Sequence, residues 1–127
     1  MHPRSLLVCA ALLCSAIPAE AEPARPAPAL PLPTGTIVRV STASQLRAAV
    51  GALSSNTTIE IAAGTYTLTD ALYVNGTFAN VGIRGATGSS DDVVLVGAGM
   101  SNAAVPYGIW VGGDVRGITI ANLTVRD

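Results

Sequence analysis

"IEIAAGTYTL" (Ile59–Leu68) reads as a strand, a glycine corner at Gly64 and a second strand, with almost nothing in it that does chemistry. The same grammar runs through the rest of the chain. "TIVRV", "ALYV", "VGIRG", "VVLVG", "GIWVG" and "GITIANLTVRD" are short β-branched and apolar runs separated by Gly, Asn, Thr and Ser. Most of them alternate inward and outward over three or four residues. One segment breaks the pattern. In "TASQLRAAVGAL" (Thr42–Leu53), Thr42 and Gln45 have capping-box spacing, and Leu46, Ala49, Val50 and Leu53 fall on one helical face.

The intervals between runs carry more information than the runs. Ile59 recurs as Ile83 after 24 residues and as Ile118 after 35 more, while Leu72 recurs as Ile109 after 37. Both long intervals contain "GAGMSNAAVPY" (Gly97–Tyr107), which reads as an insertion of about a dozen residues into one turn. Removing it leaves a period in the low twenties, with Ile59, Ile83 and Ile118 expected in one internal column. A leucine-rich repeat does not fit, because its asparagine should fall at Leu123 and instead sits at Asn122. Three strand-like runs per period are also too many for that repeat. The expected fold class is therefore all-β, a parallel β-helix of about three coils preceded by one α-helix.

On the residues of "IEIAAGTYTL", "VGIRGATG", "VVLVGAGM" and "GITIANLTVRD", the segment Thr36–Asp127 resembles the first coils of secreted right-handed parallel β-helix proteins of the pectin-lyase-like superfamily, which implies a right-handed parallel β-helix here. The resemblance implies that Thr42–Leu53 caps the N-terminal end, and that a complete protein, where it is an enzyme, is a polysaccharide lyase or a glycoside hydrolase. That superfamily's lyases use a basic residue with calcium, and its hydrolases use clustered aspartates. Neither pattern matches any set of positions here, so no catalytic residue is carried over. No cofactor is expected of this chain, with calcium implied only for a complete protein, and the chain alone is expected to be inactive.

The ends of the chain bear on organisation. Arg4, the apolar run Ser5–Ile17 and Ala19-Glu20-Ala21 have the form of a secretory signal cleaved near Ala21, which places the product in the periplasm or outside the cell. The run is too short to span a bilayer, and no later segment qualifies. Cys9, Cys14 and His2, the only cysteines and histidine, lie in this leader. The chain has no lysine, and after cleavage it has no cysteine or histidine either, which removes structural zinc, a thiol nucleophile and histidine acid/base catalysis. Residues 22–35 alternate Pro and Ala and read as a polyproline-like spacer. Residues 36–127 then form one small domain. Acids and arginines nearly cancel, with no basic block, which argues against nucleic acid as a partner. The alternating strand in "ITIANLTVRD" is expected to present an open edge, completed by further coils or by self-association.

Candidate binding residues are few. Tyr73 in "LYV" and Trp110 in "IWV" both sit between inward-facing residues and share a station on successive repeats. Two readings stand: a sugar-stacking platform for a polysaccharide, or aromatic cover over the sheet surface beneath a loop. "VVLVGAGMSN" imitates a dinucleotide fingerprint, but Asn102 replaces the third glycine and Pro106 stops a helix. Asp91 and Asp92 have the look of turn residues before a strand, and a calcium site there lacks a third ligand. Asp114 also reads as a turn residue. Asn56, Asn75 and Asn122 match the glycosylation sequon by coincidence, and corner hydrogen bonding explains them instead. Two functional classes remain: the front of a carbohydrate-active enzyme, or a non-catalytic adhesive surface protein. Glu60 and Arg84 are expected side by side, with Thr119 continuing their row.

Overall fold

A computed structural model describes residues 23–26 and 28–127. The expected signal segment and cleavage site, with His2, Cys9 and Cys14, lie outside the described residues. The chain divides into a unit ending at Leu30 and a compact unit, Pro31–Asp127. Residues 23–26 and 28–34 contain no helix or strand. Within the compact unit the segment before the first strand is tied down, since Arg84 Nη1 donates to the Pro31 carbonyl at 3.3 Å and Asn80 Nδ2 donates to Thr34 Oγ1 at 3.2 Å.

The elements are β1 (Thr36–Val40), α1 (Ala43–Gly51), β2 (Thr57–Ile61), β3 (Gly64–Thr67), β4 (Leu72–Gly85), β5 (Val93–Val96), β6 (Ile109–Ala121) and β7 (Thr124–Arg126). They form a four-stranded sheet, β1-β2-β4-β6, and a three-stranded sheet, β3-β5-β7, and every pairing is parallel. This corrects the expected right-handed parallel β-helix. The described residues form two small parallel sheets and one helix, and no single solenoid is shown. The correction has a local cause. "ALYV" and "VGIRG" read as two strands of a three-stranded coil, yet pairing with β6 continues along Asn75–Ala79 and resumes past the corner at Asn80 (φ 54°), so both belong to one strand, β4. β6 likewise joins "IWV" to "GITIA", passing through Gly113 (φ 76°) and Gly117 (φ 66°). Runs counted as separate faces therefore share one sheet.

The intervals set most of the register. Ile59 lies beside Ile83, Glu60 beside Arg84, Leu72 beside Ile109 and Tyr73 beside Trp110. The step to β6 differs by two residues: Ile83 pairs with Ile120, while Ile118 pairs with Val81. The internal column is thus Val38, Ile59, Ile83 and Ile120, and Ala121 rather than Thr119 follows Arg84. Both Ile118 and Ile120 keep the alternation of "ITI", so periodicity alone cannot choose between them. Glu60 stands between Arg39 and Arg84, and its ion pair goes to Arg39 at 3.5 Å.

Helix α1 starts at an N-cap threonine, whose Thr42 Oγ1 accepts from the Gln45 backbone N–H at 3.1 Å. The return bond expected of a capping box lands one residue early, with the Ser41 N–H donating to Gln45 Oε1 at 2.9 Å. Leu46, Val50 and Leu53 are buried, as their helical spacing requires. They join Ile59, Ile61, Leu72, Val74, Ile83, Val93 and Leu95 in one core, where each fully buried aliphatic side chain contributes roughly 1.5–3 kcal/mol.

Three asparagines hold left-handed backbone at corners: Asn56 (φ 58°), Asn80 (φ 54°) and Asn122 (φ 57°). Asparagine tolerates this conformation because its short amide bonds locally. Asn80 Nδ2 donates to Asn56 Oδ1 at 3.2 Å, so the two corners stack. Asn75 and Asn80 both lie within β4, and of the two only Asn80 has a positive φ.

Candidate functional site

Strands β4 and β6 bring Tyr73 and Trp110 together. The residues are register partners, and their ring centroids lie 5.8 Å apart at an interplanar angle of 59°. Tyr73 is 52 % exposed and Trp110 38 % exposed, whereas Leu72 and Val74 on either side of the tyrosine are buried. The rings therefore stand outside the core, as the alternation of "LYV" and "IWV" requires. Gly112 explains the pose of the indole. A Cβ placed there would lie 2.0 Å from Trp110 Cη2, so the ring folds over the bare glycine backbone. The pair is a tilted, half-open aromatic surface. Such a surface can stack against an apolar ring face and cannot by itself move a proton.

Beside Tyr73 lies a charged pair that the sequence did not suggest. Arg47 projects from the exposed face of α1 and meets Asp70, in the β3–β4 connection, at 2.5 Å. Thr69 Oγ1 lies 3.3 Å from Arg47 Nη1 and 3.2 Å from Asp70 Oδ2. Both ionised side chains remain about half exposed, at 58 % and 49 %. They line two concavities. One of about 150 Å³ includes Ser44, Thr67 and Thr69; the other, of about 340 Å³, includes Val50, Gly51 and Tyr73. Arg47 and Asp70 are distant in sequence and share no motif, so no local signal could have joined them.

The other candidates are dispersed. Gly97 and Gly99 lead into a turn, where the Asn102 N–H donates to the Gly99 carbonyl at 3.0 Å, and no helix follows. The dinucleotide reading thus has no helix N-terminus to use. Asp91 and Asp92 are exposed, and the Asp92 carbonyl accepts from the Gly64 N–H at 2.8 Å. Asp114 lies inside β6 rather than in a turn, and bonds Arg116 Nε at 3.1 Å. Among the described residues no three His, Cys, Asp or Glu side chains gather as metal ligands. Among them, too, no helix is long and apolar enough to cross a membrane.

Fold and surface together define a mostly β protein of two parallel sheets that carries an exposed aromatic pair. No protein-family model matches the chain, and no curated protein or solved structure is significantly similar to it. Nothing in these comparisons identifies a pectin-lyase-like protein.

Proposed function

We propose that this is an exported carbohydrate-binding protein that holds a polysaccharide on the Tyr73–Trp110 surface, either to retain it or to present it for modification. The observation that carries the reading is the exposed pairing of the two rings across β4 and β6. An aromatic pair half open to water offers an apolar face for a pyranose ring, and the sheet beneath holds the two backbones in register, which lowers the ordering cost of binding. The signal-like segment before residue 22 supports an extracytoplasmic setting, where polysaccharides are met. Trp110 is the only tryptophan, so its fluorescence reports directly on this surface. Soluble neutral and acidic oligosaccharides should shift or quench that emission, and Tyr73→Ala should abolish the response. An unchanged spectrum at millimolar concentrations across the panel would refute the reading.

A second reading, self-association, rests on a different observation. The buried columns reach the surface at β6 and β7. Val111, Ile120 and Val125 are 39 %, 43 % and 47 % exposed, although their partners Val74, Ile83 and Leu95 are at 1 %, 0 % and 0 %. Apolar edge strands of this kind favour pairing with another chain. A second copy is the fitting occupant because Asp114 and Arg116 flank Val115. Antiparallel pairing about Val115 would set each charge opposite its complement across a two-fold axis. This reading belongs to a structural or adhesive protein, and it is compatible with sugar binding on the outer face.

A further inference from the structure

We propose that the 340 Å³ concavity between α1 and the start of β4 is the end of the sugar surface that sets specificity, and that it takes a neutral pyranose with adjacent free hydroxyls. The proposal rests on the carbohydrate reading above and extends it to a class of sugar. Three observations meet at this place. Tyr73 lines the concavity and is also half of the aromatic pair, so the two surfaces are continuous. Arg47 and Asp70 form its polar side, and each is about half exposed. The volume lies at the small end of the roughly 300–1,000 Å³ typical of small-molecule sites, which suits one sugar ring and not an extended chain.

The chemistry follows from what the pair has left to offer. The Asp70 carboxylate has acceptor positions beyond those used by Arg47 and Thr69, and the Arg47 guanidinium has donors beyond Nη1. Adjacent hydroxyls of a pyranose each donate and accept, so they match an acceptor beside a donor. The ring face then lies toward Tyr73. The charge balance decides between neutral and acidic sugars. Arg47 is already neutralised by direct contact with Asp70, so a sugar carboxylate entering here meets a site of no net charge with a carboxylate at its side. Val50 and Ala71 supply no compensating cation.

The test uses the full chain, with calorimetry and Trp110 fluorescence as parallel readouts. The probes are cellohexaose and mannohexaose as neutral ligands and hexagalacturonate as an acidic one. A neutral hexaose should bind more tightly than hexagalacturonate. Asp70→Asn and Arg47→Gln should each weaken that binding about ten-fold or more, because a charge-assisted hydrogen bond becomes at best a neutral one. Circular dichroism should show both variants folded, since the pair is on the surface. Preference for hexagalacturonate, or a neutral ligand whose affinity drops in Tyr73→Ala but not in Asp70→Asn and Arg47→Gln, overturns this inference and leaves the aromatic surface standing. Binding of no hexaose at all overturns both.

Discussion

At the scale of single residues, the corners and one buried phenol carry the sharpest consequences. Asn80 sits at φ 54° and bonds Asn56 and Thr34 through its amide. Replacing it with alanine leaves a Cβ in left-handed backbone without the local bonds, at a cost of about 1–2 kcal/mol. Asn80→Gly should recover most of that loss, and urea midpoints of the two variants would show the difference. Tyr66 is 3 % exposed and donates its hydroxyl to the Ala62 carbonyl at 2.5 Å. Burial raises its pKa above the usual phenol value. The folded chain therefore holds this proton more tightly than the unfolded chain. The resulting stability is complete below about pH 10, the unfolded phenol value, and is lost as pH rises through the higher folded value. Denaturant midpoints measured from about pH 8 upward should fall above pH 10, and Tyr66→Phe should flatten that fall. An equally steep fall in the variant would place the titration elsewhere.

At the scale of elements, the same isoleucine column passes from sealed to open within one sheet. Ile83, between β2 and β6, is 0 % exposed, while Ile120 on β6 is 43 % exposed. Ile83→Ala should cost about 2–5 kcal/mol, and Ile120→Ala less than about half of that, because little cavity is left at an open edge. Equal losses would mean that β6 is covered in solution. This contrast also shows what was legible beforehand. The partners of Ile59 and Leu72 follow from the repeat intervals, because parallel strands align like with like. The Ile118-for-Ile120 error arises because both residues keep the same inward phase, and only the path through β4 and β6 separates them. Helix α1 was readable from Thr42, Gln45 and its apolar face, since capping and amphipathicity are local.

For the whole molecule, the association reading predicts a concentration-dependent state from the exposed apolar residues of β6 and β7. Light scattering should give a mass that rises with protein concentration. Ile120→Lys combined with Val125→Lys should hold it at the monomer value, since charge on an edge strand opposes pairing. A wild-type chain that stays monomeric throughout would remove the association reading. The aromatic pair lies on an outer face of β4 and β6, so the lysine variants should keep any sugar response of Trp110.

Strand content, parallel neighbours, the capped helix and the outward facing of Tyr73 and Trp110 were determined by the sequence itself. Each depends on local alternation, local capping or a repeated interval, all of which a linear pattern carries. Tertiary structure decided that the runs assemble into two small parallel sheets and not the expected β-helix. It did so because pairing between β4 and β6 continues along Asn75–Ala79 and resumes past the corner at Asn80, and whether such a segment ends a strand depends on the partner beside it. It also decided that Arg47 and Asp70 meet next to Tyr73. That meeting comes from the docking of α1 against β4, and packing between distant elements leaves no periodic trace in the chain.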